Sequence, residues 1–192
     1  MKVSELFYGF CNYFSSLGIT AKPTPSMWKY RVYYYFDMLG RMLGYDVSTE
    51  DTFTKEDGFK NLCGKRIDMT WAKPNSRDYA LALEYENTKA IDDEIEKLAS
   101  TCGLRVLVMF KHNFRLTEVS KKIRSSLAKT GDQTSDFFVI ILPKVFTRKK
   151  PFEKLICLLI DKEGRTKGCG KATGYVSANG VCSFQKAKWM DL

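Results

Sequence analysis

The 192-residue chain has one histidine, His112, and no two of its cysteines stand at C-x-x-C spacing. The six cysteines (Cys11, Cys63, Cys102, Cys157, Cys169 and Cys182) are scattered along its length. A structural zinc site draws four ligands from cysteine and histidine at short spacings, and that pattern is missing. The cysteines read instead as small buried hydrophobes, with a Cys169–Cys182 bridge as the one pairing left open. Membrane-length apolar runs are missing as well. The longest, Phe137 to Leu142 and Leu155 to Ile160, are six residues each, the size of a strand. The N-terminus, Met-Lys-Val-Ser-Glu, leads into aromatics alternating with polar residues rather than the clean apolar segment of a secretory signal, so a cytoplasmic location is expected. There is no internal repeat and no low-complexity tract.

The chain does have the composition of an ordinary globular domain, 44% hydrophobic and 28% charged, and the length to bury one core. Its net charge of +9 is unevenly placed. Residues 1–110 carry 14 Lys and Arg against 15 Asp and Glu, whereas residues 111–171 carry 15 against 6. The basic half includes Lys121, Lys122 and Arg124 on an expected helix, then Arg148, Lys149 and Lys150. Basic clusters gathered in one half of a chain are the footprint of a polyanion partner, although a lysine-rich surface also serves solubility alone.

Hydrophobic periodicity predicts the elements in outline. Val3, Leu6, Phe7, Phe10, Phe14 and Leu17 make one helical face over 3–17, and Pro23 and Pro25 mark a linker. Ser26 is the expected N-cap of a tyrosine-rich helix over 27–43, stopped by Gly44. A strand begins at Tyr45-Asp46-Val47 and gives way to a polar, acidic loop from Thr49 to Asn61. Strands are expected over 65–71 and 78–87, a helix over 90–101, a buried strand over 104–110 and a basic helix over 117–129. Further strands follow over 137–142 and 154–161, then a glycine-punctuated terminal hairpin over 171–183. Apolar strands alternating with helices imply a mixed α/β fold with a central sheet flanked by helices. We expect one domain: an N-terminal helix and linker (1–26), a core (27–110) and a basic C-terminal part (111–192).

The two strands at 65–71 and 78–87 carry the chemistry. Alternation puts Ile67, Met69 and Trp71 on one face of the first, and Tyr79, Leu81, Leu83 and Tyr85 on one face of the second. Pairing these faces as a hairpin through the turn Lys73-Pro74-Asn75-Ser76-Arg77 sends Asp68, Glu84 and Glu86 to the other side. A symmetric register sets Asp68 across from Glu84, where opposed Cβ atoms lie roughly 5 Å apart and like charges are destabilising. The polar face of an exposed hairpin also carries acids. Here, however, Ala-Leu-Ala-Leu precedes Glu84, and an unpaired carboxylate is costly in such covered surroundings. A divalent cation such as Mg²⁺ or Mn²⁺, which takes oxygen ligands, explains the cluster better than packing does.

These residues, in this order of elements, resemble the PD-(D/E)XK nuclease superfamily, whose restriction-endonuclease-like core is α-β-β-β-α-β. The likeness runs from about Met27 to Phe110. It rests on Asp68 in Arg66-Ile67-Asp68-Met69-Thr70-Trp71 and on Glu84 and Glu86 in Leu83-Glu84-Tyr85-Glu86-Asn87. The resemblance implies a catalytic metal held by Asp68, Glu84 and the backbone carbonyl of Tyr85. Glu86 stands where the family usually has a lysine that serves the attacking water. Glu86 would then bind a second metal or take the proton itself, or a lysine would reach in from the next helix, Lys89 or Lys97. The family's additional acid on the first core helix would be Asp37, with Glu50 as its rival.

The expected function is hydrolysis of DNA phosphodiester bonds by water activated on Mg²⁺ or Mn²⁺, with the basic residues of 111–171 holding the backbone. A homodimer is expected only by analogy. The alternatives are a nucleic-acid-binding module that keeps the fold without catalysis, for which the missing lysine argues, and an interaction subunit. The last is suggested by Tyr30, Tyr33, Tyr34 and Tyr35, whose helical spacing equally suits packing.

Overall fold

The computed structural model describes residues 1–16, 24–52, 64–76, 79–86, 91–110, 116–130, 136–143, 154–178 and 181–192. Along them the chain forms α1 (Val3–Ser16), α2 (Pro25–Met42), β1 (Asp46–Thr52), β2 (Arg66–Ala72), β3 (Tyr79–Glu86) and α3 (Ile91–Ala99). It continues with β4 (Leu104–Phe110), α4 (Leu116–Thr130), β5 (Phe137–Leu142), β6 (Lys154–Ile160), β7 (Thr166–Val176) and β8 (Cys182–Asp191). The strands make one mixed sheet in sequence order. β1, β2 and β3 form an antiparallel meander, β3, β4 and β5 run parallel, and β5 to β8 are antiparallel again. The parallel steps are the ones that carry a helix between strands, because a parallel partner needs a crossover.

The sheet is covered on both faces, and β4 and β5 show why their sequences read as unbroken apolar runs. Val106, Val108, Phe138 and Ile140 pack with α1 and α2, whereas Leu107, Met109, Phe137 and Val139 pack with α3 and α4. On the first side Phe14 of α1 meets Phe10, Trp28 of α2 and Phe184 of β8 in an aromatic layer, and Phe7 meets Trp189 of β8. Close backbone approach sets two of these contacts. A Cβ at Gly40 would stand 2.7 Å from the Trp71 ring, and one at Gly170 would stand 2.8 Å from both Phe7 and Trp189. Ser15 Oγ accepts from Phe184 N at 3.1 Å and donates to Phe184 O at 3.2 Å, which ties α1 to the edge strand β8. None of the helices is long and apolar enough to cross a membrane, among the described residues.

Four details differ from the sequence reading. Thr24, not Ser26, caps α2, its Oγ1 accepting from Met27 N at 3.2 Å, because Pro25 takes the first helical turn, where its missing N–H costs nothing. β1 runs on through Thr49 and Glu50 to Thr52, polar residues that an edge strand with one open side tolerates. The last hairpin spans Thr166 to Asp191, well beyond 171–183. Cys169 and Cys182 are free thiols, as are Cys11, Cys102 and Cys157.

Candidate active site

The β2–β3 pair has the expected register: Trp71, Thr70 and Met69 lie opposite Leu81, Ala82 and Leu83. Met69↔Leu83 is the last pair, and beyond it the strands part. There the Asp68 carboxylate takes over from the ladder, Oδ2 accepting from Tyr85 N at 2.8 Å. The irregularity is shared with β1, where Glu50 adopts φ 54° and the Glu50–Asp68 pair is skipped between Thr49↔Met69 and Asp51↔Ile67. Its effect corrects the expected alternation. Met69 and Trp71 pack on the α1/α2 side, but Ile67 turns to the α3/α4 side beside Ala82, Ile91 and Ile95. Asp68 thus sits at a break in the sheet and serves both faces.

On the α3 face, Lys65, Arg66, Asp68, Glu84, Asp93, Glu94, Lys97 and Tyr85 line an open cleft of about 580 Å³. Glu84, 2% exposed, follows the small Ala82 along β3 and meets the helix there. In α3, Glu94 and Lys97 stand one turn apart on one side of the helix, so both reach the strand end. Lys97 Nζ lies 2.6 Å from Glu84 Oε1, contacts Glu94 Oε2, and donates to Arg66 O at 3.1 Å. Glu84 Oε1 and Glu94 Oε2 are both buried, and Lys97 is the cation that faces the two of them. Burial, then the charges of Asp68 and Glu94, push the Glu84 carboxyl far above the usual range, against the pull of Lys97. Burial works against the Lys97 ammonium, but Glu84 and Glu94 outweigh it and hold its pKa above that of an ordinary lysine.

Arg105, fully buried at the start of β4, fixes the far end of α3. Its Nη2 donates to Ala99 O at 3.3 Å and Thr101 O at 2.7 Å, placing a cation on the carbonyls that a helix C-terminus leaves open.

On the α2 face, Lys29 Nζ lies 3.5 Å from Asp68 Oδ1 and 5.0 Å from the centre of the Tyr33 ring. Burial and then the Asp68 charge drive the Tyr33 hydroxyl strongly toward its protonated form. Neither Lys29, Tyr33 nor Glu94 was expected at the site. Glu94 and Lys97 at i, i+3 were a signal for the helix face; Lys29 needed the packing of α2 across the break in β2.

Of the expected site residues, the structure brings together Asp68, Glu84, Tyr85 and Lys97. Glu86 lies further along β3, half-buried, and is not among the residues lining the cleft. Asp37 is paired with Arg41 one turn on, at 2.9 Å, whereas Glu50 lies 3.4 Å from Arg66 and lines a cleft with Lys29, Tyr33 and Tyr85, so Glu50 is the acid nearer the centre. Lys122 is committed to Asp92 of α3 at 2.6 Å; Lys121 and Arg124 are exposed. Lys89, Arg148, Lys149 and Lys150 lie outside the described residues, as do His112 and Cys63.

The fit to a divalent cation is mixed in detail. Mg²⁺ is commonly held by one or two carboxylates with its remaining positions on water, and Asp68 and Glu84 supply that number. Burial, and after it the charges of Asp68 and Glu94, raise the Glu84 carboxyl, and a bound cation would favour the ionised form again. Among the described residues, however, no group of three or more His, Cys, Asp or Glu side chains is placed to hold a metal ion. No family model, curated protein or solved structure matches the chain.

Proposed function

We propose that the chain is a metal-dependent nuclease that hydrolyses phosphodiester bonds of DNA, built on a core of the restriction-endonuclease type. The observation that supports this reading best is the meeting of Asp68 and Glu84 at a broken strand pair, with Lys97 brought to them from the next helix. The order α2-β1-β2-β3-α3-β4, with its antiparallel meander and parallel return, is compatible with that core. Asp68, Glu84 and the carbonyl of Tyr85 would hold Mg²⁺ or Mn²⁺. The ion would supply an acidified water and charge stabilisation on the phosphate oxygens.

The chain's own residues define the rest. Asp68 is held in place by the Tyr85 N–H on Oδ2, and Lys29 faces its Oδ1 at 3.5 Å. Lys97 remains an ammonium at neutral pH, which makes it a group that orients oxygen and neutralises developing charge rather than one that accepts a proton. It takes the place that the motif lysine would have filled, and Glu86 need not substitute for it. That no group of three or more His, Cys, Asp or Glu side chains is placed to hold a metal ion, among the described residues, favours a second reading, a DNA-binding module that keeps the fold without catalysis.

Cleavage of a panel of DNA and RNA structures in Mg²⁺, Mn²⁺ and chelator separates the two. Asp68→Asn and Glu84→Gln should each lower cleavage by at least about a hundredfold and abolish the rise in melting temperature that Mg²⁺ gives the wild type. Glu86→Lys should leave cleavage standing. No cation-dependent stabilisation and no cleavage of any substrate would leave the binding module as the better account.

A further inference from the structure

A second cleft, of about 370 Å³, opens on the α2 side of Asp68, lined by Lys29, Tyr30, Tyr33, Glu50 and Tyr85 among others. That is the volume of a small-ligand site. Tyr85 borders both clefts, so the two lie on either side of one strand end. We infer that this cleft takes a base of an unpaired nucleotide, and that the substrate strand is single-stranded at the carboxylates. The inference rests on the nuclease reading for the phosphate beside Asp68, and on the α2 cleft itself for the base.

Tyr30 and Tyr33 stand one turn apart on the side of α2 that faces this cleft, and Tyr30 keeps 74% of its surface open. Two aromatic rings beside a backbone-binding centre are the means by which proteins hold nucleic-acid bases without pairing them, because every base offers a π-face. Lys29 lies between the two functions, over the Tyr33 ring at 5.0 Å and 3.5 Å from Asp68, so its ammonium is placed for the phosphate that joins a stacked nucleotide to the one at the carboxylates. Glu50, exposed and with Oε2 3.4 Å from Arg66 Nη1, closes the cleft with a second carboxylate oxygen as an acceptor for base N–H groups. Its backbone, at φ 54°, is in the left-handed region that a glutamate seldom adopts, and such strain is retained where the residue's placement serves a site. A base inside a duplex is stacked on both sides and cannot enter. The +9 net charge of the chain supplies the general attraction for a polyanion.

Binding in chelator, where no cleavage can proceed, isolates this inference. Fluorescence anisotropy with a labelled 20-nucleotide single strand and its blunt duplex should show the single strand held about tenfold more tightly or better. Tyr30→Ala should lose about tenfold on the single strand and nothing on the duplex, in line with the ~1–3 kcal/mol per stacked base seen elsewhere at 1.4 kcal/mol per decade. Tyr30→Phe, which keeps the ring, should bind as the wild type does. Tyr30 is exposed, so neither change threatens the fold. Equal or tighter duplex binding overturns the inference, and so does an unaltered single-strand affinity in Tyr30→Ala. Single-strand preference without any cleavage in Mg²⁺ keeps the base cleft and removes the nuclease; cleavage with duplex preference does the reverse.

Discussion

Lys97 is the residue on which the carboxylates depend in the metal-free protein. It is 16% exposed and touches both Glu84 and Glu94, while Asp68 stands near enough to raise the Glu84 carboxyl. Removing one partner of a buried pair leaves an uncompensated charge, at a cost of about 3 kcal/mol. Lys97→Met should show that cost in a pH-dependent way. A carboxyl whose folded pKa lies above its ordinary 4.5 binds its proton more tightly folded than unfolded. Stability is therefore full below that ordinary value and falls as pH rises toward the folded one. Without the lysine the folded value goes higher still. Urea midpoints of wild type and Lys97→Met should therefore fall in parallel between pH 5 and pH 8, and the gap between them should widen only as pH rises through the wild-type value of about 10. A gap that stays constant with pH would mean that Lys97 acts through packing alone.

At the scale of elements, the site is a matter of how α3 is held over the ends of β2 and β3. The helix has nine residues, too few to stand alone in water, and its Ile91, Ile95 and Leu98 bury one side. Arg105 secures its last carbonyls from inside the core. Arg105→Met keeps the length and loses the donors, leaving Ala99 O and Thr101 O without them. The expected destabilisation is about 2–4 kcal/mol in urea unfolding. Because α3 carries Glu94 and Lys97, the variant should also lose Mg²⁺-induced stabilisation in conditions where it remains folded. Retention of that stabilisation would show that the helix needs no anchor to place Lys97.

For the whole molecule, the charge asymmetry of the sequence is partly spent inside the fold. Lys122 and Lys129 of α4 pair with Asp92 and Glu96 of α3, so the basic helix is neutralised along its contact side and remains basic at Lys121 and Arg124. DNA binding should weaken steeply with salt, since each phosphate contact releases a counterion. Lys121→Gln with Arg124→Gln should flatten the slope of log K against log salt by about two, whereas Lys122→Gln should change it little. Neutralising Arg148, Lys149 and Lys150 together should flatten it as well. A slope insensitive to Lys121 and Arg124 would place the DNA elsewhere on the surface.

The sequence by itself determined the order of the elements and the register of β2 on β3 from Trp71 to Met69. A six-residue apolar run such as Phe137 to Leu142 suits a strand covered on both sides, and the alternation of Leu81, Leu83 and Tyr85 sets which neighbours Met69 and Trp71 can have. That much is local: side-chain period and turn chemistry decide it. It also put Asp68 and Glu84 close together, because a two-residue period leaves little choice once the register is known. Only the tertiary structure decided what surrounds them. Whether the ladder stops at Met69↔Leu83, whether Ile67 follows Met69 or turns to the opposite face, and which lysine arrives from a helix all depend on how α2 and α3 pack across the sheet. Those contacts join residues far apart in the chain, such as Lys29 with Asp68 and Glu84 with Lys97, and no spacing rule encodes them. Glu86 shows the reverse: its period places it with Glu84, yet it is not among the residues that line the cleft.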